Sequence, residues 1–314
     1  MASAYHLSRK LQKDVLNKMR ESRLPQYPNA YPRGNVFFVD GTSGDNSSEG
    51  RTWGSAFKTI TYALTKCTSS QHDIIYVVRD TGFGGLEDTP ITIAKHQIHL
   101  LGLDGLQSDS LHRPVSKPVI NYGGDTAGLL ITGNGVEVAG FDIGGGDAEG
   151  EACIEIGTAA PWDVCIHDCV FGYITTHGYD GIRGGGPYLT VYDCLFGKVN
   201  DRDGIRIETN ATRGFLGLRG HGNMFREVVG IGINCVGAAV LGGIFDNVFS
   251  LPSFTKGKAI TFANSNATGA IVDGNHAHHQ DSDCQHNNPY VDTGTNTWLL
   301  NHQGWKATAP DTSV

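Results

Sequence analysis

Four phenylalanines recur at nearly even steps through the middle of this 314-residue chain, each closing the same local phrase. The phrases are Asp168-Cys-Val-Phe171, Asp193-Cys-Leu-Phe196, Gly222-Asn-Met-Phe225 and Asp246-Asn-Val-Phe249, with steps of 25, 29 and 24 residues. A second phrase keeps pace: Cys153-Ile-Glu-Ile156, Gly181-Ile-Arg-Gly184, Gly204-Ile-Arg-Ile207, Gly230-Ile-Gly-Ile233 and Ala259-Ile-Thr-Phe262. A fixed period of a few tens of residues marks a stacked architecture, in which each unit buries its apolar face only against its neighbours. The units alternate apolar and polar residues at period two, so they are strands. Two or three short strands per unit, separated by Gly, Asn and Asp corners, make one turn of a solenoid. The pattern predicts an all-β fold, a single-stranded parallel β-helix, preceded by a short helical arm.

Composition agrees with one elongated domain. The 43 glycines are about twice the usual ~7% share and fall at the repeat's corners, not in a low-complexity block. A solenoid core grows lengthwise, so 314 residues need not split into separate cores. Four segments are expected: 1–34, a basic amphipathic helix and Pro-rich linker; 35–72, a strand-and-helix cap; 73–274, the solenoid; and 275–314, a polar, His-rich cap closing with Trp298-Leu-Leu300 and Trp305. In the second segment, Val36–Val39 reads as a strand and Trp53–Leu64 as a short helix with Ser55 as its N-cap.

The formal charge of −8 is unevenly spread. Residues 1–34 carry seven Lys/Arg against two Asp/Glu, a local +5, which leaves −13 on the remaining 280 residues. An acidic body argues against nucleic acid as its partner, while the basic arm suits an acidic surface. Within the arm, Leu7, Leu11, Val15 and Met19 form an apolar stripe flanked by Arg9, Lys10, Lys13 and Lys18. That stripe can cap the first turn or dock on a partner.

No apolar segment of signal-peptide type opens the chain, so synthesis in a cytoplasm is expected. The uncharged stretch Val228–Phe245 contains five glycines and falls in register with the repeat, which argues against a membrane span. Seven cysteines without framework spacing are expected to be reduced, with Cys169 and Cys194 stacked as buried thiols one turn apart.

The segment from Val36 to Leu64, followed by Asp73-Ile-Ile-Tyr-Val-Val78, resembles the start of right-handed parallel β-helix proteins of the pectate-lyase-like superfamily. There a strand, a Gly/Asp loop and a short helix with a Thr-Ile turn cap the solenoid. The resemblance spans roughly residues 35–300 and implies a fold more than a function, because the family includes polysaccharide lyases and hydrolases, phage tailspikes and non-enzymatic virion proteins. Gly220-His-Gly222 and Arg206-Ile-Glu-Thr209 are similar to two polygalacturonase motifs. Their order is reversed, the paired aspartates are missing and Glu208 stands at the lysine position, so that mechanism does not carry over. A column of calcium-binding acids of the pectate-lyase type is not evident either.

Two constellations remain. If Ile154, Ile182, Ile205, Ile231 and Ile260 face inward, then Glu155, Arg183, Arg206, Gly232 and Thr261 face outward, with adjacent turns ~4.8 Å apart. Asp180 and Asp203 precede this ladder and Glu208 follows it. Aligned carboxylates suit a glycosidase pair, and arginine beside acids suits a lyase. The plainer account is an ion ladder whose aspartates bond corner amides, which shared corner geometry favours. The second constellation, His276, His278, His279, Asp281 and Asp283, holds competent metal ligands without fixed spacing, so a polar surface loop is the plainer account. No cofactor is expected.

The expected function is a non-enzymatic structural protein of a phage or virus particle. The form envisaged is a homotrimeric capsid decoration (cement) protein or short spike on the virion surface, attached to other virion proteins by its arm. The alternatives are a carbohydrate-active tailspike or secreted polysaccharide enzyme, and a glycan-binding β-helix module that meets a host-surface glycan.

Overall fold

The computed structural model describes residues 34–78, 90–103, 117–120, 126–145, 151–172, 180–197, 203–208, 212–217, 221–226, 228, 230–237, 241–251, 257–279 and 289–303. The arm residues Leu7, Arg9, Lys10, Leu11, Lys13, Val15, Lys18 and Met19 lie outside them, as do Asp281, Asp283 and Trp305.

Short strands stack into three parallel sheets of ten, eight and eight strands among the described residues. Each turn contributes one strand to the first sheet, one to the second and one to the third. Cys165–His167, Val170–Phe171 and Asp180–Gly184 form one such turn, and Thr190–Tyr192, Leu195–Phe196 and Ile205–Ile207 form the next. Every strand pair is parallel and joins one turn to the next. The fold is a right-handed parallel β-helix, the hand that parallel crossovers strongly prefer.

Period-two alternation builds the interior. Phe171, Phe196, Phe225 and Phe249 are fully buried and stacked, with ring centroids 4.6, 4.7 and 4.7 Å apart. Glycine at one position of the third sheet makes room for them. A Cβ on Gly181, Gly204 or Gly232 would lie 2.7, 2.6 or 2.5 Å from the ring of Phe196, Phe225 or Phe249. Beside the rings runs a buried column of Cys169, Cys194, Asn223, Asn247 and Asn275. The asparagines form a ladder. Asn247 Oδ1 accepts from the backbone N–H and the Nδ2 of Asn223 (2.8 and 3.0 Å), and Asn275 Oδ1 accepts likewise from Asn247. Each Nδ2 also donates to a first-sheet carbonyl: Asn223 to Val191, Asn247 to Leu216 and Asn275 to Ile244. The corner carbonyls and amides are thereby satisfied inside the core, where an unpaired one costs ~1–3 kcal/mol. Cys169 and Cys194 fill the same column as buried thiols, and the six described cysteines are free.

Three expectations are corrected at the ends and in the register. The N-terminal helix is shorter and starts later than expected, at Ile60–Lys66, with Thr59 and not Ser55 as its N-cap. Thr59 Oγ1 accepts from Tyr62 N, whereas Ser55 ends a 3₁₀ turn, Trp53–Ser55. At the C-terminus, strands continue past the expected boundary at 274: His276–His279, Tyr290–Asp292, Thr297–Trp298 and His302–Gln303 all pair in the same sheets. Trp298 covers Phe262 edge-on as expected, but Leu299 and Leu300 face solvent. In the third sheet, Ile205 pairs with Ile233 and Arg206 with Asn234, so Ile231 and Gly232 sit two residues early. Two isoleucines spaced by two fit a period-two pattern equally well. The Phe249 ring decides, since only a glycine fits against it, and that glycine is Gly232.

No helix among the described residues is long and apolar enough to cross a membrane.

Candidate functional site

The outer face of the third sheet carries the expected ladder in corrected register: Glu155, Arg183, Arg206, Asn234 and Thr261 occupy successive turns. Inward-facing Ile154, Ile182, Ile205, Ile233 and Ile260 fix its orientation. Glu208 lies just past the strand Ile205–Ile207 and bridges two turns. Arg183 Nε donates to its Oε2 at 2.9 Å and Arg206 Nε to its Oε1 at 2.8 Å. Arg206 Nη1 also reaches Asp203 Oδ2 (3.1 Å), which accepts from Asn234 Nδ2 as well (2.7 Å). Arg183, Arg206, Glu208 and Asp203 therefore form one hydrogen-bonded network. Asp180 takes a different part. It is fully buried, and its Oδ1 accepts the Asp203 N–H, just as Asp203 Oδ1 accepts the N–H of Ile231. The repeated aspartate is a corner pin, as the plainer account holds.

The electrostatics limit what this face can do. Burial raises the Glu208 carboxyl, but hydrogen bonds from Arg206 and Arg183 outweigh it and hold the group below its ordinary value. Arg206 is lowered by burial and raised further by Glu208 and Asp203, with a net rise. A retaining glycosidase pair needs one carboxyl kept protonated as the general acid. Glu208, clamped by two guanidiniums, is its opposite. The network presents fixed donors and acceptors: two guanidiniums and the Glu208 carboxylate, with side-chain accessibilities of 24–29%, while the Asn234 amide and the Thr261 hydroxyl beside them are buried. That is equipment for binding.

At the corner between the third and first sheets, Trp162 (58% exposed) and Tyr188 (39%) present aromatic surface on adjacent turns, where Asp163 N donates to the Pro187 carbonyl.

The sequence reading missed a second network, on the outer face of the first sheet. Glu137 Oε2 lies 2.6 Å from His99 Nδ1 and its Oε1 lies 2.9 Å from His167 Nε2. The other His167 nitrogen faces Asp168 Oδ2 (2.8 Å), and His99 Nε2 faces His72 Nδ1 (3.2 Å). Both nitrogens of His167 point at carboxylates, so both must donate and the ring is an imidazolium. Burial lowers its pKa, but Asp168 and Glu137 overcome that and lift it to about 10. Burial likewise raises Glu137, yet the two histidines bring it down to about 2. Tyr192 stacks flat on His167 from the next turn at 4.9 Å. With the His99, Glu137 and His167 side chains only 11–14% exposed, the cluster clamps successive turns and offers little surface to a ligand. The available signal was the outward position of His99 and Glu137 between buried Ile98/Leu100 and Val136/Val138, and of His167 just past buried Ile166. Unequal loops between these turns hide their alignment in the sequence.

Of the metal candidates, His276 and His278 lie exposed on one strand, and no set of three ligating groups has converged on an ion-sized space among the described residues.

No family model matches the sequence, and no curated protein does. Among solved structures the chain is similar to the GH136 lacto-N-biosidase from Eubacterium ramulus. In its selenomethionine form the identity is 9% over 93% of this chain and 70% of that one, with a TM-score of 0.45. It is also similar to the pectin methylesterase from Aspergillus niger, at 12% identity over 90% of this chain and 93% of that one, with a TM-score of 0.46.

Proposed function

We propose that this is a carbohydrate-recognising β-helix protein, binding a neutral glycan along the outer face of its third sheet. The observation that carries the reading is the Arg183–Glu208–Arg206–Asp203–Asn234 network. Its part-exposed Arg183, Arg206 and Glu208 form a row of planar hydrogen-bonding groups along the solenoid axis, with buried Asp203 and Asn234 holding Arg206 in place before any ligand arrives. A linear polysaccharide is likewise a periodic row of hydroxyl groups. Prepaid ordering of the side chains favours binding, since immobilising a long side chain costs ~0.5–1.5 kcal/mol at the moment of association. Trp162 and Tyr188 add faces on which sugar rings can stack.

A neutral glycan is favoured over a polyuronate on charge. Two guanidiniums face Glu155, Asp203 and Glu208 locally, and residues 35–314 carry −13, so a polyanion meets net repulsion. The second reading, a particle-surface protein, is argued from the basic arm of residues 1–34, the acidic body and the scrambled catalytic motifs.

The experiment is titration calorimetry of the full chain against panels of neutral and uronate oligosaccharides, with product analysis by chromatography. Saturable binding of a neutral oligomer without fragments, weakened about tenfold or more in Arg206→Ala through loss of ~1.5–3 kcal/mol of charge-assisted bonding, is the expected result. Binding untouched by Arg183→Ala and Arg206→Ala together would overturn the site.

A further inference from the structure

We propose that His276, His278 and His302 form a transition-metal site on the outer face of the second sheet near its C-terminal end, taking one divalent ion with a preference for imidazole nitrogen, such as Zn2+, Ni2+ or Cu2+. His276 and His278 flank Ala277, which is fully buried, so period two puts both imidazoles on the outer face of one strand. His302 is the register partner of His276 on the next strand. The His276 and His302 rings lie stacked with centroids 4.9 Å apart and planes 17° from parallel. All three residues are exposed. Three imidazoles on two hydrogen-bonded strands therefore share one small patch. Their backbones are fixed by strand pairing, so only side-chain torsions separate this arrangement from a facial three-nitrogen site.

The ligating nitrogens have not converged. Rotamer changes of exposed side chains take picoseconds to nanoseconds, so an arriving ion can collect them. Imidazole ligands select Zn2+, Ni2+ and Cu2+ over the oxygen-seeking Mg2+ and Ca2+.

The test uses the full chain stripped with chelator, titrated at pH 7.5 with Zn2+ and, separately, with Mg2+, and followed by calorimetry and thermal unfolding. One Zn2+ per chain should bind and raise Tm with increasing Zn2+, as any ligand of the folded state must, while Mg2+ does neither. His276→Ala and His302→Ala should each weaken Zn2+ binding by more than the ~10–100-fold that losing a mere outer-shell partner costs. His221→Ala, an exposed histidine elsewhere, should change nothing. If His276→Ala impairs folding, His302→Ala and His278→Ala on the exposed face still decide the matter. Absence of saturable Zn2+ binding, or binding that survives the His276→Ala/His302→Ala double change, overturns the proposal.

Discussion

Glu137 is the residue on which the electrostatics of the first sheet turn. Its carboxylate is nearly buried and joins His99 to His167 across successive turns. His167 is raised to about 10, so its contribution is complete below the ordinary histidine value of 6.5 and is lost as pH rises towards 10. Glu137 is lowered to about 2, so its contribution is complete above 4.5 and is lost as pH falls towards 2. Stability from this cluster should therefore be greatest between pH 4.5 and 6.5 and decline on both sides. Glu137→Gln should lower the unfolding free energy near pH 6 by about 3–5 kcal/mol, the usual cost of removing one partner from a buried pair. It should also flatten the acid limb, because no titrating carboxylate remains at 137. Denaturant unfolding across a pH series measures both effects, and an unchanged acid limb would show that Glu137 is not what titrates.

Among the elements, the phenylalanine stack and the glycine column against it act as one unit. Phe196 is sandwiched between Phe171 and Phe225, so Phe196→Ala should cost about 3–5 kcal/mol by leaving a cavity that stacked turns cannot collapse into. Gly204→Ala tests the other side of the same contact. Its new Cβ would sit 2.6 Å from the Phe225 ring, and overpacking of this kind costs about 1–3 kcal/mol. Urea midpoints of the two variants measure this directly. A neutral Gly204→Ala would mean that the ring has room to move. This scale also shows what the sequence makes legible. The rings, their column and the inward isoleucines follow from period two plus the repeat, because both are written in residue type. The register of the Ile231–Cys235 strand does not follow, since Ile231 and Ile233 satisfy the same pattern and only packing against Phe249 separates them. Asp180 and Asp203 are legible as corner residues, yet nothing in the sequence says that Glu208 ties Arg183 to Arg206 across a turn. The Glu137 cluster is hidden for a related reason: its members lie 30 and 38 residues apart, and the loops between them differ in length.

At the scale of the whole molecule, every described strand lies after residue 34. Deleting residues 1–33 should leave the solenoid folded, with an unchanged far-ultraviolet spectrum and an unfolding midpoint close to that of the full chain. If the arm anchors the protein to a particle, the same deletion abolishes incorporation without unfolding the body. The central claim, that the third sheet's outer face is a glycan surface, is tested most directly by hydrogen exchange of the full chain with and without a saturating neutral oligosaccharide. The account predicts slowed exchange confined to the third-sheet segments around Arg183, Arg206, Asn234 and Thr261, together with the corner at Trp162 and Tyr188. Protection centred on the first or second sheet, or none under saturating ligand, would contradict it.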